Sequence, residues 1–238
     1  MLGTIVNTST IVVGSFAGAL LKKGIKEKYK STIMQALGLV AISLGITWIV
    51  KNLSQSKEPL LFIVSLVLGG FVGEILDIEL KINKLADRFK KSDENGLIEG
   101  LTTAVLLFCV GTMSILGPLE SALRGDNTLL FTNALLDGIT SLILASTFGI
   151  GIALSALILF IWQGSIYLSA QIIAPFVTPE ILGQVSIIGG ILIFSTGINI
   201  LEIKKIKTIN LLPALFITMI YYFPFINNSI NKIANLLN

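Results

Sequence analysis

Long apolar runs alternate with short polar or glycine-containing stretches along this chain of 238 residues. Because about 20 apolar residues suffice to cross a bilayer as a helix, the runs predict about eight transmembrane spans. They cover residues 2–21, 31–50, 60–76, 97–117, 129–149, 150–170, 181–201 and 210–226. Between the third and fourth spans, apolar residues recur at helical spacing among charged ones, at Ile78, Ile82, Leu85 and Phe89. Residues 77–92 are therefore expected to form an amphipathic helix on the membrane surface, with a solvated connecting helix as the alternative.

Two stretches, residues 95–111 and 133–149, are copies of one another at a constant offset of 38 (133 − 95). Each has an Asn, an acid four positions later, then Gly, an aliphatic residue, Thr and a second hydroxyl residue. The first copy supplies Glu99, Gly100, Thr102, Thr103 and Gly111, and the second supplies Asp137, Gly138, Thr140, Ser141 and Gly149. Since consecutive spans run in opposite directions, the copies predict an inverted repeat. In secondary transporters, the substrate site lies at the interface of such repeats.

The acids of the two copies are the main candidates for an ion path, because an intramembrane carboxylate is costly in lipid. Four hydroxyl side chains either line the same path or bond back to carbonyls of their own helices: Thr102, Thr103, Thr140 and Ser141. Helix capping is the structural alternative, since Asn95 and Asn133 suit N-cap positions and an acid suits the first turn. Capping explains Glu99 better than Asp137, whose neighbours are apolar. With both helices beginning at their Asn, the two carboxylates lie about 15 Å apart along the membrane normal.

Glycine and proline predict helix breaks near the middle of the chain. Gly111, Gly117 and Pro118 close the fourth span, which indicates a broken or kinked helix. Gly149 marks a tight or intramembrane junction between the fifth and sixth spans. Gly100 and Gly138 are expected in helix packing. Residues 119–130 form either an outer loop or a re-entrant segment.

The composition indicates whether the chain is surrounded by lipid or by water. Hydrophobic residues make up 53% of it, charged residues 13%, and mean hydropathy is +0.87, against about 25% charged residues in soluble domains. We therefore expect a single, all-α, polytopic membrane domain over residues 1–238. Isolated amides within the spans, at Asn7, Gln35, Gln163 and Asn199, are expected to form interhelical hydrogen bonds.

The residue inventory excludes several classes of function. The chain has no His and one cysteine, Cys109, so a His-ligated metal site and an intrachain disulfide are excluded. A zinc-protease motif and a phosphate-binding loop are absent from the sequence. We expect no enzyme activity, no metal, no cofactor and, despite a net charge of +3, no nucleic-acid binding.

Lys and Arg predict the orientation of the chain in its membrane. The loops after the odd-numbered spans carry 13 of the 17 basic residues, and the opposite side carries 4 (13 + 4 = 17). Because basic loops stay in the cytoplasm, both termini are expected outside it.

Several short motifs occur from residue 111 onwards: residues 111–117, Gly125-Asp126, residues 136–139 and 144–151, Gln163-Gly164-Ser165, Gly189-Gly190 and residues 210–215. In these motifs the chain resembles the YdfK/YqgA family of uncharacterised bacterial membrane proteins. The resemblance covers essentially the whole chain and implies a multi-pass protein of the bacterial plasma membrane. The family is one of unknown function, for which a sodium channel or pump has been suggested.

These patterns favour a transporter or channel for a small ion, a cation such as Na⁺. Asp137 and Glu99 would supply negative charge and the hydroxyl residues neutral oxygen ligands, which hard cations prefer. The alternative is a non-transporting scaffold or regulator in which the acids only pair and cap. The expected partners are the bilayer and a small ion; a homo-oligomer is left open.

Overall fold

The computed structural model describes residues 1–21, 27–81, 84 and 97–222, and their regular structure is helical. The α-helices are α1 (Leu2–Leu20), α2 (Glu27–Leu53), α3 (Leu61–Leu76), α4 (Leu97–Val110), α5 (Thr112–Arg124), α6 (Thr128–Phe148), α7 (Leu154–Ile173), α8 (Pro179–Ile200) and α9 (Pro213–Tyr221). Short 3₁₀ turns cover Ile150–Ala153, Ala174–Phe176 and Thr208–Leu211. The all-α prediction is confirmed.

Six helices of the described residues are long and apolar enough to cross a membrane, and a seventh span results if the bent pair α4–α5 counts as one. The predicted eighth span appears as a shorter apolar helix, Thr208–Tyr221. Along α3, large apolar side chains are exposed at a spacing of four residues: Ile63, Val67, Phe71 and Ile75. A continuous apolar stripe of this kind suits contact with lipid.

The predicted helix break lies at Gly111, where α4 and α5 meet at an angle of 46°. The backbone of Gly111 is extended, with φ −59° and ψ 142°, so the helical ladder stops there. Pro118 was expected to end this span but lies inside α5. Lacking an N–H, it cannot bond to the carbonyl of Ser114, which weakens the ladder without ending the helix.

The chain forms two compact units. Unit 1 contains Met1–Leu39 and Glu79–Phe176, and unit 2 contains Val40–Ile78 and Val177–Asn238. The boundary lies within α2. The prediction of a single domain stays a prediction.

In unit 1, α1 packs along α6 through its glycines. An added Cβ would strike Leu130 from Gly3, the backbone of Gly138 from Gly14, and the backbone of Leu142 from Gly18. These contacts advance together along both helices, so α1 and α6 are parallel. Backbone approach of this kind is the usual role of a small-residue spacing of four in membranes.

The pair α4–α5 runs opposite to α6. Gly100, near the start of α4, packs against Phe148 at the end of α6, and Gly117 of α5 packs against Leu130 near its start. This is the relative direction that an inverted repeat requires, and the repeat itself stays a prediction. Most of the predicted surface helix 77–92 lies outside the described residues, as does Asn95.

The core of unit 1 contains an apolar cluster around Ile11, which is fully buried. It joins side chains from α1, α4, α6, α7 and the turn before α7: Ala104, Phe108, Cys109, Ala145, Ile152, Ala156 and Leu159. The lone cysteine is therefore a small core residue.

Unit 2 repeats the glycine contact with other helices. Gly69 of α3 packs against the backbone of Ala214, and Gly73 packs against the backbone of Asn210. Glu74, at the end of α3, pairs with Lys207 and accepts a hydrogen bond from the Asn210 amide at 2.9 Å. These contacts hold the segment that precedes α9 against α3.

Candidate functional site

The most unusual polar contact of unit 1 lies between α1 and α6. Asp137, in the middle of α6, is 5% exposed, and Asn7 of α1 is fully buried. The glycine contacts bring the two backbones close enough for these short side chains to meet. The Asn7 amide donates to Asp137 Oδ2 at 2.9 Å.

A second amide holds the same carboxylate oxygen. Asn133 lies one helical turn before Asp137 and donates from Nδ2 to Oδ2 at 2.8 Å. Side chains four residues apart share a helix face, so the sequence spacing alone permits this bond. Together the two amides fix one oxygen of Asp137, and no residue in the described ranges donates to the other oxygen, Oδ1.

Asp137 has no basic partner among the described residues. Arg124, the nearest basic residue in sequence, lies 3.6 Å from the Glu120 carboxylate, four residues earlier in α5. Glu120 is itself buried, with 2% of its side chain exposed. Arg124 is thus paired with another carboxylate, and the side chains that bond to Asp137 are neutral amides.

The alternative prediction that Asn133 caps its helix is wrong. The helix begins five residues earlier, at Thr128, with Asn127 as its N-cap residue. The Asp126 carboxylate accepts a hydrogen bond from the Thr128 backbone N–H at 2.8 Å, which makes a turn before the helix. Asn133 is consequently an interior residue of α6, and its amide serves Asp137.

The other predicted residues are less closely grouped. Thr102, Thr103 and Thr140 are half-buried. Ser141 is fully buried, and its hydroxyl donates to the Gly138 carbonyl at 2.8 Å, the local bond expected of a helical serine. Glu99 belongs to α4, and its side chain lies outside the described part of the chain.

The glycines named from the repeat and from the predicted helix break lie at helix contacts and at a turn. Gly100, Gly117 and Gly138 lie where helices touch, since an added Cβ would approach a neighbouring helix at each. Gly149 ends α6 with φ +84° and ψ −176°, a conformation that is essentially restricted to glycine.

The isolated amides divide into two groups. Asn7 and Gln163 form the predicted interhelical bonds, the latter donating to Ser114 Oγ of α5 at 3.1 Å. Gln35 instead bonds to Ser31 within α2, and Asn199 bonds to the backbone of Ile206. Asn7 was missed as a site residue, although it is the one carboxamide in its span.

Comparison with known proteins now adds a family. The model of the family described as "Protein of unknown function (DUF554)" matches residues 2–223. The chain is 55% identical to "Uncharacterized membrane protein YdfK" of Bacillus subtilis (strain 168), over 94% of this chain and 96% of that protein. It is 30% identical to "Uncharacterized protein YqgA" of Escherichia coli (strain K12), over 92% of this chain and 95% of that protein. No solved structure matches the chain.

Proposed function

Because this chain belongs to the DUF554 family of proteins of unknown function, its activity has to be inferred from its own site, and we propose that it moves a small cation across the bacterial plasma membrane. Asp137 is the proposed binding residue. A membrane protein with apolar spans is compatible with this activity.

The observation that carries the proposal is a buried carboxylate whose described neighbours are neutral. Burying an ionised carboxylate without a positive partner is highly unfavourable. Two amides relieve part of that cost, but they add no charge. A proton or a small cation supplies the missing positive charge, and binding of either makes the carboxylate stable in this position.

The geometry also leaves an oxygen for the ligand. Both amides hold Oδ2, so the carboxylate is oriented while Oδ1 is left for a cation. Carboxylate and carbonyl oxygens are the ligands that hard cations prefer. In transporters, intramembrane acids commonly serve such a role.

Flux into proteoliposomes tests the proposal. The purified protein is reconstituted, and Na⁺, K⁺, Li⁺ and proton gradients are applied in turn. Asp137→Asn preserves the shape of the side chain and removes its charge, so folding should survive while flux falls to the level of empty liposomes. Asp126→Asn is the matched control, because it removes an exposed carboxylate of the same unit.

Two outcomes contradict the proposal. Flux that is unchanged in a folded Asp137→Asn protein shows that the carboxylate binds nothing that moves. An absence of flux in the wild-type protein for every gradient favours the scaffold or regulator, in which Asp137 only joins α1 to α6.

A further inference from the structure

Unit 1 contains buried oxygen atoms with no hydrogen-bond partner among the described residues. Three of them are Thr4 Oγ1 and Asn7 Oδ1 of α1 and Gln163 Oε1 of α7, and these three residues are fully buried. Buried polar atoms are nearly always paired, so these unpartnered oxygen atoms need a physical reason.

Two other hydroxyl groups of α1 show the ordinary pattern. Thr8 donates to the Thr4 carbonyl at 2.8 Å, and Ser9 donates to the Ile5 carbonyl at 2.8 Å. Such return bonds satisfy a hydroxyl inside a helix. Thr4 is buried more deeply than either residue and makes no such bond.

Helix register places Thr4, Asn7 and Gln163 toward the beginning of α1. Thr4 and Asn7 are three residues apart and share a face of α1. A Cβ added to Gly164 would lie 3.4 Å from Met1 Cε, so the residue after Gln163 is beside the first turn of α1. Asp137 is bonded to Asn7 at the same end of the helix.

These three oxygen atoms share one chemical character. A hydroxyl oxygen and two amide carbonyl oxygens are acceptors, and the N–H groups of both amides are already used. Asn7 Nδ2 donates to Asp137, and Gln163 Nε2 donates to Ser114. A set of oxygen atoms whose amide N–H groups are bonded elsewhere suits a cation and not an anion.

We infer that Thr4, Asn7 and Gln163 complete the site around Asp137 and that this site takes a dehydrated monovalent cation. The inference rests on the proposed function and extends it to the ligand set and the charge of the cation. A single carboxylate among neutral oxygens balances one positive charge. Divalent cations are usually held by more carboxylates, and the described residues bring no three His, Cys, Asp or Glu side chains together.

The apolar cluster around Ile11 borders this site along α1. Ile11 follows Asn7 by one turn and is fully buried among apolar side chains of α4 and α7. Exclusion of water on that side strengthens ion–oxygen interactions. Ser15 Oγ, which is also without a partner, lies beyond Ile11 and outside the proposed ligand set.

Cation-dependent thermal unfolding tests the ligand set without any transport assay. The purified protein in detergent is titrated with Na⁺, K⁺ or Li⁺ against N-methylglucamine at equal ionic strength. A ligand that binds only the folded state raises Tm in proportion to ln(1 + [L]/Kd). Wild-type protein should be stabilised by at least one small monovalent cation and not by Mg²⁺ or Ca²⁺.

Gln163→Leu should raise the Kd of that cation about tenfold, the loss of one neutral ligand. Gln184→Leu is the matched control and should leave the Kd unchanged. Gln184 is likewise buried, with Nε2 bonded to Ser56 Oγ at 2.6 Å and Oε1 without a partner, but it belongs to unit 2.

A charge change gives a second readout that does not depend on losing a contact. Gln163→Glu adds a second carboxylate to the proposed ligand set, so the site should gain stabilisation by Ca²⁺ or Mg²⁺. Gln184→Glu should not. A Gln163→Leu protein that fails to fold therefore leaves the glutamate variant to decide.

The outcomes separate the two proposals. If Asp137→Asn abolishes cation stabilisation while both Gln163 variants match their Gln184 controls, the ligand set is wrong and Asp137 keeps its role. If Asp137→Asn leaves the stabilisation intact, the proposed function fails. A wild-type protein that no monovalent cation stabilises overturns the cation site altogether.

Discussion

Gly14→Ala tests the packing that creates the site. A methyl group at Gly14 would strike the Gly138 carbonyl oxygen and Ser141 Oγ, and it would lie 3.1 Å from the Gly138 carbonyl carbon. Ser141 can turn aside, but the Gly138 carbonyl belongs to the backbone of α6. The helix α1 must therefore move outward, and the bond from Asn7 to Asp137 lengthens.

The magnitude follows from three contributions. Overpacking costs about 1–3 kcal/mol, and weakening a hydrogen bond to a charged group costs about 1.5–3 kcal/mol. The alanine returns about 1 kcal/mol through its higher helix propensity. Gly14→Ala should consequently lower the free energy of unfolding by about 1.5–5 kcal/mol. The control Gly183→Ala should be neutral or stabilising, because nothing lies within 4 Å of its added methyl.

Cys109 provides the assay for this prediction. It is the one cysteine of the chain, 7% exposed, and belongs to the apolar cluster of unit 1. Its reaction with a fluorogenic thiol reagent during heating reports the opening of that unit. The midpoint temperature of Cys109 labelling should fall for Gly14→Ala and should be unchanged for Gly183→Ala. Equal midpoints in the two variants would refute close backbone contact at Gly14.

Two further predictions concern backbone conformation and orientation. Gly125, with φ +71° and ψ 6°, should be replaceable by Asn without loss of stability. At Gly149, with φ +84° and ψ −176°, the same replacement should lower the free energy of unfolding by about 1–3 kcal/mol, as measured by thermal unfolding. Equal losses of stability at both positions would contradict this prediction. In a Cys109→Ala background, an impermeant thiol reagent on intact cells should label Asp126→Cys and not Lys26→Cys. Labelling of the lysine position would reverse the predicted topology.

Local patterns predicted the helices well and drew attention to one residue of the candidate site. Apolar runs indicated spans close to α1, α6 and α8 because each run is nearly as long as its helix. Asp137 was identified by its cost in lipid, which is a local property of the sequence. Its partner Asn7 lies 130 residues away, and no periodicity within a single span reports a contact at that separation.

The errors have equally local causes. Asn133 was considered a cap because the repeat begins there, but a turn at Asp126 starts the helix earlier and converts the residue into a donor. The break was expected over residues 111–118; it falls at Gly111, whereas Gly117 and Pro118 lie inside α5. A proline inside a helix removes one bond, whereas an extended residue ends the ladder, and only the backbone distinguishes the two.

The contact between α1 and α6 has a consequence for how the protein is made. Its two halves are separated by 108 residues, from Leu20 to Thr128 (128 − 20). At about 5–20 residues per second, a ribosome needs roughly 5–20 s to extend the chain that far. During this interval α1 is already synthesised, with Asn7 and its glycine face awaiting a partner. Assembly of unit 1 is therefore a late step of biogenesis, because α1 cannot make this contact until α6 has been synthesised.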